Sequence, residues 1–313
     1  MILRSLEEVP FNPESIVTVG TFDGVHIAHQ RLLSSLASRG KFEGLRSVVI
    51  TFSPHPQEVL TGRRIDLLMT EEERFRTISN FGIDEVCVLN FDKNFSQITA
   101  EDFLLVLVRD RIGLREFVLG YNHTFGKGAK GTLDLARDLG HKNGFAVSSL
   151  DAVYVDGEIV SSSAIRKLLK RGNLAFANKM LGKPYHFEGV VVRGDGRGKG
   201  LGYPTANLKL IDDRLLVPAL GVYIVEVDVE GQKHPGLMSI GVRPTFADGG
   251  HVTVEVWISN FEKDIYGKQI GVTCIHRLRD EMKFNSAQDL VKQMDNDRFL
   301  LNEYIKTTFN QQR

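Results

Sequence analysis

What most constrains the fold of this chain is a change in its hydrophobic pattern near residue 182. Up to about Gly182, short apolar runs alternate with longer amphipathic ones, the mark of βαβ units around a mostly parallel sheet. The candidate strands are residues 16–19, 47–52, 84–90, 116–119 and 145–150. Thr70 with Glu73 forms a capping-box pattern at one helix start, and Thr99 caps the run that begins at Ala100. Beyond Gly182 the runs become short, β-rich and punctuated by glycine: residues 187–193, 222–229, 237–242, 252–258 and 271–278. No crossover helices separate them, and Glu230-Gly231-Gln232 reads as a hairpin turn, so antiparallel pairing in a small sandwich or barrel is expected. Ser286 and Asp289 open a last segment that sets Leu290, Met294, Leu301, Tyr304 and Ile305 at helical spacing, which predicts a helix closing that domain. The expected fold class is therefore α/β plus all-β, with domains 1–182 and 183–313 meeting at Gly182 to Pro184.

Composition narrows the possible functions. With 313 residues, 42% hydrophobic and 25% charged, the chain is of ordinary globular type, which excludes disorder and a collagen-like repeat. Thirty-nine basic and thirty-nine acidic side chains cancel, so no whole-molecule field draws in nucleic acid or an anionic membrane, and any basic site must be local. The longest apolar runs, residues 48–52 and 103–108, fall far short of the roughly 20 residues a membrane helix needs. Arg4, Glu7, Glu8 and two prolines stand where a signal peptide needs an apolar core, so a cytoplasmic location is expected. Cys87 and Cys274 each lie in an apolar β-like run, which predicts buried free thiols rather than a disulfide or a metal pair.

The first candidate site is VGTFDGVHIAHQ, residues 19–30. A strand ends, a loop with Gly20, Phe22, Asp23 and Gly24 follows, and His26 and His29 arrive on one face as a helix begins. A helix N-terminus presents unpaired N–H groups and a positive dipole end, and two imidazoles beside it suit phosphate oxygens that gain charge in a transition state. The same pair is also at home as polar surface. A zinc site is the weaker reading, because no spacing nominates a third ligand among His55, His123 and His141.

Four segments occur in order: GTFDGVHIAHQ at 20–30, TFSPHP at 51–56, LGYNHTFGKGAKG at 119–131 and VSSSAIRKLL at 160–169. On these the chain resembles the nucleotidylyltransferase superfamily, with its HxGH motif, and within it the bacterial bifunctional riboflavin kinase/FAD synthetases. That resemblance implies a Rossmann-like N-terminal domain. The motif departs at Ala28, giving HxAH. If that position needs positive φ or close ligand approach, a methyl costs on the order of 1 kcal/mol; if it is plainly helical, alanine is well suited. The resemblance also implies that Ser161, Ser162, Ser163 and Arg166 bind phosphates, where the residues alone allow a serine N-cap and a solvated basic face. By the same resemblance Asn122 and Phe125 line a flavin or adenine site; Asn122 is otherwise a turn residue.

The second candidate site lies in EGVVVRGDGRGKGLGYPTAN, residues 188–207, with Gly194, Gly196, Gly198 and Gly200 alternating with Asp195, Arg197 and Lys199. A Walker A motif fails because Gly200 follows Gly198-Lys199, and a dinucleotide fingerprint fails because Tyr203-Pro204-Thr205 follows where a helix should. A loop remains whose bare backbone approaches phosphates and whose Arg193, Arg197 and Lys199 supply local charge. Pro204-Thr205-Ala206-Asn207 resembles the PTAN motif of riboflavin kinases, which implies that Thr205 and Asn207 hold Mg2+ and ATP phosphates. In HVTVEVWIS, Glu255 lies on the strand face opposite the valines. An exposed strand glutamate is the commoner fate of such a residue, whereas the resemblance makes Glu255 the general base and gives Arg279 a place beside flavin or phosphate.

The resemblance thus implies an enzyme with two activities. Riboflavin would be phosphorylated by ATP to FMN in a C-terminal barrel, and FMN adenylylated by a second ATP to FAD in the N-terminal domain. Its partners would be riboflavin, FMN and ATP, with Mg2+ and with neither nucleic acid nor membrane. Two alternatives stay open: a kinase that makes only FMN beside a degenerate adenylyltransferase, and a flavin-binding regulator without turnover. The oligomeric state is unknown from the sequence.

Overall fold

A computed structural model describes residues 3–194, 200, 202–243 and 251–311. The chain divides into two compact units, residues 1–162 and 163–313.

The first unit is built on a six-stranded sheet whose pairings are all parallel. Its strands are β1 (Leu3–Arg4), β2 (Ser15–Val19), β3 (Arg46–Ser53), β4 (Glu85–Asn90), β5 (Glu116–Leu119) and β6 (Ala146–Ser149), in the spatial order β1-β4-β3-β2-β5-β6. The crossovers carry α1 (Ile27–Glu43), α2 (Pro56–Thr61), α3 (Glu71–Ser79), α4 (Ala100–Asp102, continuing as a π-helical run Phe103–Ile112) and α5 (Leu133–Asn143). Alternation along each strand sends side chains to opposite faces. Ile16, Val49 and Val118 pack with Leu32, Leu33 and Leu36 of α1, while Val17, Ile50 and Phe117 pack with Phe103, Leu104 and Val108. Both faces of the sheet are therefore covered, and this is why its strands read as unbroken apolar runs. The expected helix starts are present: Thr70 Oγ1 accepts from the Glu73 amide at 3.2 Å and Thr99 Oγ1 from the Asp102 amide at 3.0 Å. A two-stranded hairpin, β7 (Tyr154–Val155) and β8 (Glu158–Ile159), leads to the end of this unit.

The second unit begins with two helices, α6 (Ser162–Lys170, whose first residue closes the preceding unit) and α7 (Leu174–Leu181). A closed antiparallel barrel follows, made of β9 (Tyr185–Val192), β10 (Ala206–Leu210), β11 (Gly221–Val229), β12 (Gln232–Arg243), β13 (His251–Ile258) and β14 (Gln269–Arg279). Their order around it is β10-β13-β12-β11-β14-β9. Val229 pairs with Gln232, so Glu230 and Gly231 form the two-residue turn, and their φ values of 54° and 82° are those of the type I′ turn that matches strand twist. β10 went unread in the sequence.

Helix α8 (Ala287–Gln311) starts where Ser286 Oγ accepts from the Asp289 amide at 3.1 Å. It lays Leu301, Tyr304 and Ile305 against Ile224, Leu237 and Trp257 of the barrel. An ion pair fixes it further: Arg279 holds the buried Asp297 with Nη2–Oδ2 at 2.7 Å and Nε–Oδ1 at 3.0 Å. Among the described residues no helix is long and apolar enough to cross a membrane. Cys87 and Cys274 are free and buried, and burial raises both thiols, Cys87 to about 12, which leaves them inert.

Candidate active sites

In the first unit the chain runs from β2 to β3 on one side, while β5 pairs with β2 on the other. The carboxyl ends of β2 and β5 therefore flank the point where strand order reverses, the place where open α/β sheets bind ligands. The loop from β2 has an unusual backbone. Phe22, Gly24 and Val25 take φ of 53°, 80° and 37°, and a buried β-branched residue at positive φ carries strain of about 1–3 kcal/mol. Neighbouring groups hold it there. The Val25 amide donates to the Phe22 carbonyl at 3.0 Å, and Gln30 Nε2 donates to the Val25 carbonyl at 2.8 Å. The buried Asp23 carboxylate accepts from the Leu68 amide at 3.0 Å, and the Asp23 carbonyl accepts from Ser162 Oγ at 2.9 Å. Gly20 leaves room for the Phe22 ring, which a Cβ there would meet at 3.0 Å.

His26 is the N-cap of α1, its Nδ1 accepting from the His29 amide at 3.4 Å. A ring nitrogen that accepts carries no proton, so the neutral His26 ring is protonated on Nε2. The His26 and His29 rings stack with centroids 3.6 Å apart and planes at 15°, and Phe22 lies 5.0 Å from His29 on centroids. His29 Nδ1 is buried and has no hydrogen-bond partner among the described residues. Burial first, then His26 and His123 alongside, hold the His29 imidazole well below its usual range. Ala28 lies in helix α1 and is not among the positive-φ residues, the condition under which alanine suits its position.

Asn122 sits in a tight turn, where the His123 amide donates to the Gly120 carbonyl at 3.1 Å and Asn122 takes φ of 50°. That positive φ fits the third position of a type II turn, which asparagine tolerates. Phe125 is buried in the core, its ring 5.6 Å from Phe103 and 5.5 Å from Phe117. Of the serine run, Ser161 and Ser162 belong to the first unit, while Ser163, exposed, and Arg166, half-buried, belong to the second. Among the described residues no cluster of His, Cys, Asp and Glu is arranged to hold a metal ion.

His123 gives the fold a pH dependence. Burial pushes its imidazole down to about 4 from the ordinary 6.5, so between those values the unfolded chain binds a proton that the folded one does not. Above pH 6.5 the contribution is flat, and stability falls as pH drops from 6.5 towards 4. The melting temperature should decline across that window, and less steeply in His123→Phe; equal slopes would contradict the assignment.

In the barrel, cross-strand register builds the second site. Asn207 of β10 pairs with Glu255 of β13 on one side and Val192 of β9 on the other, and Glu255 also pairs with Ser239 of β12. Directly opposed residues share a face. Val254, Val256 and Ile258 are buried, which leaves Glu255 and Asn207 half-buried on the opposite, outer face. Val252, expected with the inward valines, is exposed, although it pairs with Val242 of β12 near the start of the strand. Thr205 Oγ1 donates to Glu255 Oε2 at 3.0 Å. A Cβ on Gly194 would come within 2.1 Å of Asn207 Nδ2, so the loop's first residue lies directly on that side-chain amide, which would have to shift for any larger residue. Gly200 has open space around it, and Gly196, Arg197, Gly198 and Lys199 lie outside the described residues.

Tyr203, one residue before Pro204, is buried, with its ring 6.0 Å from Trp257 and Arg298 over its face at 5.7 Å. Its hydroxyl donates to Asp295 of α8, and burial with that carboxylate raises it to about 12. Arg279 is held by Asp297, in the interior of the same helix, and also donates Nη1 to the Asp280 carbonyl at 3.1 Å. Tyr203 and its helix carboxylate were not identified from sequence, since nothing local links residues so far apart.

These two sites sit in modules that are recognised separately. A family model described as FAD synthetase matches residues 9–164, and one described as riboflavin kinase matches residues 181–305. The chain is thus of the class that joins an FAD synthetase module to a riboflavin kinase module. It is 33% identical to the bifunctional riboflavin kinase/FMN adenylyltransferase of Escherichia coli K12 over 98% of each chain. It is also 33% identical to that of Listeria monocytogenes over 90% of each. A crystal structure from Streptococcus pneumoniae, described as a macrolide-efflux protein, superimposes with a TM-score of 0.87 at 33% identity, covering 96% of this chain and 99% of that one. The chain belongs to the bifunctional riboflavin kinase/FMN adenylyltransferase family.

Proposed function

We propose that the chain makes FAD from riboflavin in two steps, with the barrel phosphorylating riboflavin to FMN and the N-terminal module adenylylating FMN. The functional division is placed at Gly182 to Pro184, close to where the riboflavin kinase match begins at residue 181. The observation that carries the reading is the convergence of Thr205, Asn207 and Glu255 on one barrel face, with Gly194 laid on Asn207.

In the first step Glu255 accepts the proton of the ribityl 5′-hydroxyl as that oxygen attacks the γ-phosphorus of ATP and ADP leaves. Thr205, already bonded to Glu255, holds the carboxylate in place. The hydroxyl of Thr205 and the amide oxygen of Asn207 are hard oxygen donors of the kind Mg2+ takes beside phosphates, and they would hold it. That ion would neutralise charge on the phosphate chain. Gly194, Gly196, Arg197, Gly198, Lys199 and Gly200 would cover the phosphates, and Arg279 would flank the flavin.

In the second step an FMN phosphate oxygen attacks the α-phosphorus of ATP and pyrophosphate leaves. No protein nucleophile is needed, because position and charge stabilisation carry nucleotidyl transfer. His26, His29 and the N-terminus of α1 would stabilise the phosphates with Ser161 and Ser162, and the resemblance that names these serines also nominates Ser163 and Arg166 as phosphate-binding residues. Gly20, Phe22, Asp23 and Gly24 shape the loop that presents them. Asn122 would meet the flavin or adenine, and Phe125, from the core, holds that loop in shape.

Incubation with riboflavin, ATP and magnesium, followed by separation of the flavins, tests the reading; riboflavin recovered unchanged would overturn it. Ala28→Gly bears on the FMN-only alternative. Since Ala28 is helical, glycine there should leave FAD formation within about two-fold and weaken the helix by up to about 1 kcal/mol. A ten-fold gain in FAD formation would mean that the methyl crowds the phosphate site.

A further inference from the structure

We infer that His123 is a third imidazole of the adenylyl-transfer site, its Nε2 donating a hydrogen bond to the phosphate chain of the nucleotide. This rests on the adenylyltransferase reading of the first unit. His123 closes the turn that leaves β5, and β5 pairs with β2, so it arrives from the other strand end at the switch point. Gly120, at the start of that turn, lies over Leu32 of α1, where a Cβ would come within 3.9 Å. Leu32 is one turn beyond His29 on the same helix face, so the turn that carries His123 packs against α1 within one helical turn of His29. The electrostatic coupling of His123 to His29 agrees with that placement.

Two nitrogens in this neighbourhood, His29 Nδ1 and His123 Nε2, are buried with no hydrogen-bond partner among the described residues. Such groups are expensive to leave unsatisfied, and where they persist they point to a partner absent from the free protein. Both rings are neutral near pH 7, and a neutral imidazole with its proton on Nε2 offers a donor to a phosphate oxygen without requiring a buried charge beforehand.

The full-length protein is assayed for FAD formation from FMN and ATP, as His123→Phe and as His123→Gln. Phenylalanine fills the volume and removes both ring nitrogens; glutamine restores an N–H donor. We expect His123→Phe to lower kcat/KM for ATP ten-fold or more while melting at or above the wild-type temperature, because an unsatisfied buried nitrogen has gone. His123→Gln should recover to within about three-fold of wild type. A structural residue would behave otherwise, losing activity and melting temperature together. Adenylylation within two-fold of wild type in His123→Phe, or equal loss in both variants, would overturn the assignment. Absence of FAD formation by the wild-type protein would overturn the module's reading instead.

Discussion

Glu255→Gln should abolish FMN formation, by about 10²–10⁴-fold, while FAD formation from supplied FMN stays within two-fold of wild type. The size of the effect follows from what the substitution leaves in place. Glutamine keeps the length and an acceptor oxygen, so the 3.0 Å bond from Thr205 Oγ1 and the pairing with Asn207 survive. The loss is the basic carboxylate oxygen that takes the hydroxyl proton. Because Glu255 sits on the outer face, away from the buried Val254 and Val256, the barrel core is untouched. Separation of flavins after each half-reaction reads the outcome. A variant that still makes FMN at the wild-type rate would remove Glu255 from the role of base, and loss of both reactions would break the assignment of one reaction to each module.

That site was legible in pieces. Thr205 and Asn207 stood out in a short motif, and the alternation of HVTVEVWI put Glu255 on the polar face. What the sequence withheld was the pairing across 50 residues that brings Thr205 to Glu255. Strand β10 carries that pairing and escaped notice, although Leu208 and Leu210 alternate with Asn207 and Lys209, because five residues after a glycine-rich loop give a weak periodic signal. Strand β1, at two residues, gives none. The buried strands β2 to β5 were plain because covering both sheet faces forces uninterrupted apolar runs. The helical run 103–112 was readable as helix, but no local sequence signal marked its π register. His123 illustrates the same limit: in sequence it was only a remote candidate for zinc, and its place beside His29 comes from β5 lying next to β2.

His29→Ala should do the reverse of Glu255→Gln, cutting FAD formation by about 10²–10³-fold and leaving FMN formation within two-fold. Fraying of α1 would be the obvious rival cause, but the capping bond to His26 Nδ1 comes from the His29 backbone amide and survives loss of the ring. What disappears is one of two stacked imidazoles at a helix start, with a buried nitrogen that the folded protein leaves unsatisfied. A group kept in that state contributes little to stability, so the variant should retain its circular dichroism spectrum. Its melting temperature should move only by the lost ring contacts with His26 and Phe22. The charge that builds on the α-phosphate and the departing pyrophosphate then has one fewer donor, and a preorganised donor of that kind counts for several kcal/mol in the transition state. An FAD synthesis rate unchanged in His29→Ala would mean that the strained loop and helix dipole suffice alone. Loss of the folded spectrum would make the stack structural.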